Sequence, residues 1–478
     1  MNLSVSRSRG LARGALTAVL ATALAAMTAC STPAPSASPG ASEPASPSAS
    51  QAAADNPFGV AEGSSVDSVV FDGGYGTDYV DFAGGLIGSK VPGVTVKVQG
   101  SSAIAQELQP RFVAGDPPDI FSNDGAGNIP TATIIDQLST LDDVWDSTTY
   151  DGVKVSDAVF PSVKNDGTID GKFVQMPYVM TLVSLWYSKS LFDANGWTPP
   201  KTWDEMLELG AKAKEKNLYL FTYGKEAATY WEWLMWDSAA KEGGLSVIED
   251  IINLKPDAWK NPAIVGVYKK MEEAIKAGYF VPGGAGTQFT QAQAQWSNDQ
   301  KALLYYSGSW IENEMKDATK EGFQMTAWPA PTLTTNSALP FEAVQAGAGV
   351  PFQVPAKAKN VAGGKELIRA MLSKEAATNF SKTKLAPTIV KDTVPADGFG
   401  STALASTMST MEAAGPNIFN WILAGKAGSY YGIDPSVPLI QFLDGKMSAD
   451  EYLKTMQETY DKVANDSSVK KVTFTLGS

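Results

Sequence analysis

The stretch VDSVVFDGGYGTDYVDFAGGLIGSKVPGVTVKVQGSSAIAQELQPRFVAGDPPDIF, residues 66–121, decides the fold of this chain. Short apolar runs typical of strands lie at 66–71 and 94–98, and the stretch ends in a third such run, PPDIF. A helix is predicted at 77–87, and the apolar residues of 101–114 repeat with close to helical spacing. The order strand, helix, strand, helix, strand predicts a parallel sheet with right-handed crossovers.

Polar and aromatic residues follow the ends of two of these predicted strands. Tyr75 lies in the glycine-rich turn after the first strand, and Asn123 and Asp124 come directly after PPDIF. Ligands of parallel α/β sheets bind outside the carboxyl ends of the strands. These three residues are therefore candidates for a binding site. Because Asn and Asp also favour turns, a structural role for Asn123 and Asp124 stays open on the residues alone.

The composition excludes several kinds of site. The net charge is −13 and the pI about 4.7, whereas nucleic-acid binding needs a basic face. The chain has no histidine and one cysteine, so serine–histidine and cysteine–histidine nucleophilic sites and the usual zinc sites lack their residues. A hydrolase would have to rely on two carboxylates, as glycosidases do. The sequence predicts no metal and no cofactor.

The N-terminal residues predict export and lipidation. Three arginines precede the apolar run Leu16–Met27, which is too short to span a membrane and is typical of a signal peptide. The single cysteine, Cys30, ends the motif AMTAC, which resembles the lipobox of bacterial lipoproteins. We predict a signal peptide at 1–29, then lipidated Cys30 and a disordered Ser/Ala/Pro tether over 30–55. An ordinary signal peptide with an incidental cysteine is the alternative.

The rest of the chain predicts two lobes and contains aromatic side chains that are candidates for a ligand-binding cleft. About 420 residues follow the tether, which is more than one ordinary core accommodates. Pro177 splits the apolar stretch 172–187, which favours two strands, or one strand crossing between lobes, over one helix. The motif YWEWLMW at 230–236 and Trp310 after KALLYYSGS provide rings that could face a cleft. Core packing is the alternative for each ring.

Several motifs occur in the order found in one protein family. After the lipobox and tether come PPDI, LWYSKSLFDANGWTPPKTWDEM, GSWIENEM and VPAKAKNVAGGKELIRAMLSKEAATNFSK. In this order they resemble the extracellular solute-binding proteins of carbohydrate ABC importers, over essentially the whole mature chain. VPAKAKN, GSWIENEM and MEAAGPNIFNW, residues 411–421, are most similar to binders of N-acetylglucosamine and diacetylchitobiose. The glycine-containing segment 422–434 departs from that pattern.

The resemblance implies an α/β, two-lobed fold like that of periplasmic binding proteins. Each lobe would be a mainly parallel sheet flanked by helices, and several strands would cross at the hinge, near Pro177, Trp328 and Pro355. Sugar would lie between the lobes, which would close around it. The expected boundaries are 56–177 and 329–357 for lobe one, and 178–328 and 358–478 for lobe two.

The resemblance also implies which residues contact the sugar. Flat rings suit the C–H faces of a sugar, and a few polar groups fix its orientation. By their position in the family pattern, the expected binding residues are Tyr75, Asn123, Asp124, Trp231, Trp233, Trp310, Trp421, Tyr430 and Tyr431.

The function implied by the resemblance is binding and delivery, without catalysis. The ligand would be N-acetylglucosamine or its β-1,4 disaccharide, and the partners would be the transmembrane subunits of an ABC permease. The protein would be a monomer, held by its lipid on the outer face of the bacterial cell membrane, with no nucleic-acid partner. The alternatives are a binder of another oligosaccharide, a two-carboxylate surface glycosidase, and a peptide or metal binder on the same scaffold. The many aromatics favour sugar over peptide, and the missing histidines count against soft metals.

Overall fold

The structure, a computed structural model, describes residues 55–476 apart from 126, 422–430 and 470. The predicted signal peptide, Cys30, all of the predicted tether except Asp55, and Tyr430 therefore lie outside the described residues. Within these described ranges, no helix is both long and apolar enough to cross a membrane.

The predicted strand–helix alternation is confirmed at the start of the described chain. Strands β2 (Thr95–Ser101), β1 (Ser65–Phe71) and β3 (Ile120–Ser122) lie side by side and parallel in that order. The connecting helices are α1 (Asp78–Ile87) and α2 (Ile104–Ala114). The carboxyl ends of β1 and β3 therefore meet at one edge of the sheet, where the sequence predicts ligand contacts.

The same sheet continues through the molecule by way of long crossing strands. Its order is β2-β1-β3-β10-β6-β8-β7, with β11 also beside β10 and β9 also beside β6; β4 and β5 form a separate pair. Neighbouring crossing strands β10, β6 and β8 run antiparallel to each other. The remaining strands are β4 (Thr168–Ile169), β5 (Lys172–Phe173), β6 (Met176–Ser188), β7 (Tyr219–Phe221), β8 (Ala302–Gly308), β9 (Met325–Trp328), β10 (Val344–Gln353) and β11 (Ile418–Phe419).

Helices cover the sheet, and side-chain caps fix the start of several of them. The Thr202 hydroxyl accepts from the Glu205 backbone N–H, and Ser448 and Glu451 form the predicted capping box. The further helices among the described residues are α3 (Thr131–Ile134), α4 (Asp142–Asp146), α5 (Val155–Ala158), α6 (Val163–Asp166), α7 (Lys189–Asn195), α8 (Trp203–Glu215), α9 (Thr229–Gly243), α10 (Ser246–Ile252), α11 (Pro262–Lys276), α12 (Phe289–Ser297), α13 (Ile311–Met315), α14 (Val361–Met371), α15 (Lys374–Lys384), α16 (Thr402–Ala414), α17 (Ser436–Leu443) and α18 (Ala449–Asn465).

Separate hydrophobic cores define the two lobes. One core contains Val66 of β1 and Tyr79 of α1. Another contains Leu185 of β6, Trp203 of α8 and Tyr452 of α18. Strands lie at all three predicted crossings, because β6 starts, and β9 and β10 end, within two residues of the predicted positions.

One predicted lobe boundary is wrong. The resemblance implies that residues 358–478 belong to lobe two, but α14 and α15 pack in the lobe-one core through Leu367 and Phe380. The chain stays with this core as far as Val390 and joins the other lobe in α16, where Ala403 and Met411 are buried. The sequence shows that α14 has one apolar face, but that periodicity does not indicate which sheet the face covers.

Candidate functional site

Tyr75 lies in the loop after β1, at the edge of lobe one. The side chain is half-buried, and its ring centroid is 5.3 Å from that of Phe380. Burial, and then the nearby carboxyl groups of Asp124 and Glu314, raise the pKa of Tyr75. The phenol therefore keeps its proton at neutral pH and can donate a hydrogen bond. Asp124 comes from lobe one and Glu314 from lobe two, so this neighbourhood contains groups of both lobes.

Asn123 and Asp124 follow β3 but have different surroundings. Asn123 is only 3% exposed, and its amide is used within its own loop. Its Nδ2 donates to the Ile129 carbonyl at 2.9 Å and to Thr131 Oγ1 at 3.3 Å, while its Oδ1 accepts from the Ile129 N–H at 2.8 Å. The structure thus corrects the expected sugar contact of Asn123, which fixes the loop. Asp124, the next residue, is half-buried beside Tyr75.

Trp310 lies just after β8, over a glycine that leaves room for its ring. A Cβ on Gly308 would be 2.0 Å from Cζ3 of the indole, so any side chain there would collide with the ring. Trp310 is half-buried and packs against the lobe-two core. One part of the ring is therefore held by the protein and another part remains available to a ligand.

Two rings of α9 extend the surface that Trp310 begins. Tyr230 and Trp233 have centroids 4.8 Å apart, and Tyr230 lies 6.1 Å from Trp310. All three are half-buried. We call Tyr230, Trp233 and Trp310 the aromatic wall. Tyr230 was not among the predicted residues, although its spacing of three from Trp233 places both on one helix face.

The structure corrects two of the predicted tryptophans. Trp231 is 1% exposed and packs in the core against Phe221 and Phe280. Trp421 is also 1% exposed, and its indole N–H donates to Asp237. Neither ring is open to a ligand in this structure. Trp421 instead packs against the wall, because its centroid is 5.9 Å from that of Trp233.

Of the predicted pair Tyr430 and Tyr431, the structure describes only Tyr431. Tyr430 lies outside the described residues. Tyr431 is 9% exposed, and its hydroxyl donates to the carbonyl and accepts from the N–H of Val472, both at 3.1 Å. Its ring lies 6.2 Å from that of Phe474. Tyr431 therefore packs on the C-terminal segment.

Helix α13 brings the two lobes together beside the wall. The Asn313 side-chain N–H donates to the carbonyl of Gly74, which lies in the Tyr75 loop. Gln293 Nε2 donates to Glu314 at 2.7 Å. Desolvation raises the pKa of Glu314 and exceeds the opposing effect of Gln293. Glu314 is not among the residues predicted from the sequence, although its motif GSWIENEM begins at the end of β8, where ligand contacts are expected.

The assembled group suits recognition of a neutral, hydroxylated molecule. The aromatic wall offers flat faces, Tyr75 a donor, and Asp124 and Glu314 acceptors. Among the described residues, no group of three or more acids or cysteines is arranged to hold a metal ion. A surface cavity of about 700 Å³ lies elsewhere, between Phe58, Asp143 and Lys365 of lobe one. Its lining includes none of the residues gathered around Tyr75 and Trp310.

Comparison with known proteins gives several matches to this chain. A family described as bacterial extracellular solute-binding protein matches residues 81–378. The chain is 56% identical over 420 residues to the diacetylchitobiose binding protein NgcE of Streptomyces coelicolor, covering 88% of this chain and 89% of that protein. It is 26% identical over 335 residues to a probable sugar-binding periplasmic protein of Mesorhizobium japonicum, covering 65% of this chain and 73% of that one.

Solved structures confirm the two-lobed fold. A chitin oligosaccharide binding protein superimposes with a TM-score of 0.62 at 17% identity, covering 84% of this chain and 99% of that chain. The solute-binding protein RafE in complex with raffinose gives 0.64 at 15% identity, with the same coverages. Together with the family match over well over half its length, these similarities show that the chain belongs to the bacterial extracellular solute-binding proteins, as the order of its motifs predicted.

Proposed function

We propose that this protein captures N-acetylglucosamine or its β-1,4 disaccharide between its lobes and delivers it to an ABC permease. The observation that carries the proposal is the aromatic wall of lobe two, with Tyr75 and Asp124 of lobe one in the same neighbourhood. The 56% identity to a diacetylchitobiose binding protein supports the choice of sugar.

The proposed recognition divides the sugar between the two lobes. A ring of the sugar stacks on Trp310 and Trp233, where the C–H face replaces water against an apolar plane. Hydroxyls of the sugar donate to Asp124 and Glu314, and the Tyr75 phenol donates to a sugar oxygen. Binding of this kind needs no chemical step, so we propose no catalytic activity, metal or cofactor.

A two-carboxylate hydrolase is the competing function. Asp124 and Glu314 both raise the pKa of Tyr75, so two carboxyl groups from different lobes lie near the same phenol. Such enzymes use a pair of acids on opposite sides of the scissile bond. Incubation of the protein with diacetylchitobiose, followed by separation of the products, distinguishes the two functions. Intact disaccharide after many hours at saturating protein is the expected result, and release of N-acetylglucosamine would establish the hydrolase.

The proposed location is the outer face of the cell membrane, with the protein anchored as a monomer through a lipid on Cys30. The tether would then hold the folded lobes near the permease. Replacing Cys30 with serine removes the acceptor thiol, so we expect the protein to move from the membrane fraction to the medium. An unchanged membrane fraction would show that the anchor is elsewhere.

Calorimetric titration with N-acetylglucosamine, diacetylchitobiose, cellobiose and maltose tests the proposed ligand. Micromolar or tighter binding of an N-acetylated sugar, with weaker binding of the other two, is the expected result. Binding of cellobiose or maltose alone would keep a sugar-binding function and reject the N-acetyl specificity. Binding of none of the four would reject the ligand class.

A further inference from the structure

Gln345 of β10 is a buried amide with no partner. The side chain is 0% exposed, and among the described residues neither its Nε2 nor its Oε1 has a hydrogen-bond partner. A buried donor and acceptor left unpaired are costly, and nearly all buried polar groups in native proteins are paired. A residue that breaks this rule twice at one position needs an explanation, and unfavourable features of this kind concentrate at functional sites.

The sheet register places Gln345 on the face that carries the aromatic wall. Gln345 pairs with Val183 of β6, and Val183 pairs with Gly308 of β8. Residues in direct register on neighbouring strands project to the same face. Gln345 therefore shares a face with the ring of Trp310, which occupies the space over Gly308. Two strand spacings separate Gln345 from Gly308, about 10 Å, which is within the reach of a disaccharide lying on Trp310.

A second glycine continues this face toward the C-terminal segment. Gly347, two residues after Gln345 on β10, projects to the same side. A Cβ there would lie 2.1 Å from Nδ2 of Asn420, so the Asn420 side chain occupies that space. Asn420 in turn donates to Asp166 Oδ1 at 3.3 Å. Gln345 thus shares this face with two crowded glycine positions, one under Trp310 and one under Asn420.

We propose that Gln345 recognises the acetamido group of the bound sugar. This inference rests on the proposed function and adds to it the residue that distinguishes N-acetylated sugars from their hydroxyl counterparts. A primary amide both donates and accepts, and an acetamido group offers the complementary N–H and carbonyl oxygen. A carboxylate at this position could only accept. The amide is fully buried in this structure, so contact with the sugar requires the groups that cover it to move.

The unpaired amide predicts opposite effects on stability and on binding. Gln345→Met keeps the length of the side chain and removes its polar atoms. The variant should unfold at a higher temperature without sugar, because replacing an unpaired buried polar group with an apolar one removes the cost of its desolvation. A residue that serves only the core would show the same gain in stability with no change in sugar preference.

The test is calorimetric titration of wild type and variants with diacetylchitobiose and with cellobiose, which has hydroxyls in place of both acetamido groups. We expect Gln345→Met to weaken diacetylchitobiose binding at least about tenfold, a change of 1.4 kcal/mol, and to change cellobiose binding less than about twofold. Gln345→Ala, which is smaller and leaves space, should show the same loss of preference. An unchanged ratio of the two affinities in both variants would overturn the assignment.

Gln353→Met is the matched control, since Gln353 is also a fully buried glutamine of β10. Its Nε2 donates to Thr131 and Gln175, so the control should unfold at a lower temperature and keep the preference for the acetylated sugar. An equal loss of preference in the control would also overturn the assignment. A wild type that does not prefer diacetylchitobiose would reject the proposed ligand itself, which is a separate outcome from failure of the Gln345 assignment.

Discussion

Trp310 owes its position to the glycine two residues before it. With any side chain at residue 308, the indole could not lie against the end of β8. The ring is half-buried, so its orientation is fixed before a ligand arrives. A rigid aromatic plane loses little entropy when a sugar stacks on it, which is why such rings dominate binding energies.

Replacing Trp310 with alanine should raise the dissociation constant for diacetylchitobiose at least about 30-fold, which corresponds to about 2 kcal/mol for a binding hot spot. Calorimetry measures the change. Trp197→Ala is the control, because Trp197 is also a half-buried ring on the lobe-two core but packs against Phe192. Equal affinity of the Trp310 variant and wild type would remove this residue from the site.

Asn123 is expected to matter for folding rather than for contact with sugar. Its amide makes three hydrogen bonds within the 123–131 loop, and Asn123→Ala leaves those partners unpaired. We expect the free energy of unfolding to fall by about 1–3 kcal/mol in urea denaturation. Asp124→Asn is the companion variant and should reduce sugar affinity more than it reduces stability. If Asn123→Ala instead reduced sugar affinity more than stability, Asn123 would return to the list of contact residues.

At the scale of the element, α9 connects the proposed binding surface with the hinge. Its first turns carry Tyr230 and Trp233. Farther along, the buried Lys241 ammonium donates to the carbonyls of Ala330 and Phe341 at 2.6 and 2.8 Å. These carbonyls lie near the two ends of the segment between β9 and β10. One rigid helix therefore holds both the aromatic wall and the connection that returns the chain to lobe one.

The surroundings of α9 explain why the sequence predicts only part of the candidate site. Strand and helix periodicity predicted β1 to β3 and their crossovers, because each of these elements has one buried side. Every residue of α9 from Trp231 to Lys241 except Trp233 is buried. The sequence of the helix therefore has no polar face that would indicate which ring is open. Tertiary packing decides that Tyr230 rather than Trp231 belongs to the aromatic wall and that Trp421 is buried. No local sequence pattern reveals this packing.

A buried acid on α9 makes stability depend on pH. Burial raises the pKa of Glu232 from 4.5 to about 7, although the Tyr452 hydroxyl donates to its Oε1 at 2.6 Å. The folded protein therefore keeps this proton where the unfolded chain has lost it. The stabilisation by the protonated acid is full below pH 4.5 and is lost as the pH rises to about 7.

Glu232→Gln removes that dependence while keeping an acceptor for Tyr452. At 1.36 kcal/mol per pKa unit, we expect the variant to be more stable than wild type above pH 7 by up to about 3 kcal/mol, and to match it near pH 4.5. Urea denaturation across this pH range measures the difference. Glu458→Gln, at an exposed position of α18, is the control. A constant difference between Glu232→Gln and wild type at all pH values would contradict the explanation.

For the whole molecule, the order of motifs predicted more than any single motif did. It indicated the two-lobed fold and the family, both of which are confirmed, whereas the assignment of α14 and α15 to a lobe failed. Contact between the lobes depends on groups far apart in the sequence, such as Asn313 and Gly74. Their hydrogen bond holds the Tyr75 loop against the helix that follows Trp310.

Asn313→Ala should remove this hydrogen bond between the lobes without altering the aromatic wall. We expect sugar to dissociate about 3–10-fold faster, because one hydrogen bond contributes about 1 kcal/mol, while the association rate stays nearly constant. Stopped-flow tryptophan fluorescence measures both rates. Asn298→Ala, at an exposed site of the same lobe, is the control. Slower association with unchanged dissociation would show that Asn313 acts before closure.

The central claim is that a sugar binds between the lobes against the aromatic wall. A crystal structure of the protein with diacetylchitobiose tests it most directly. We predict one sugar ring stacked on Trp310, with Tyr75 and Asp124 contacting the same molecule from lobe one. A disaccharide bound elsewhere, for example in the cavity beside Phe58, or one that contacts a single lobe only, would contradict the account.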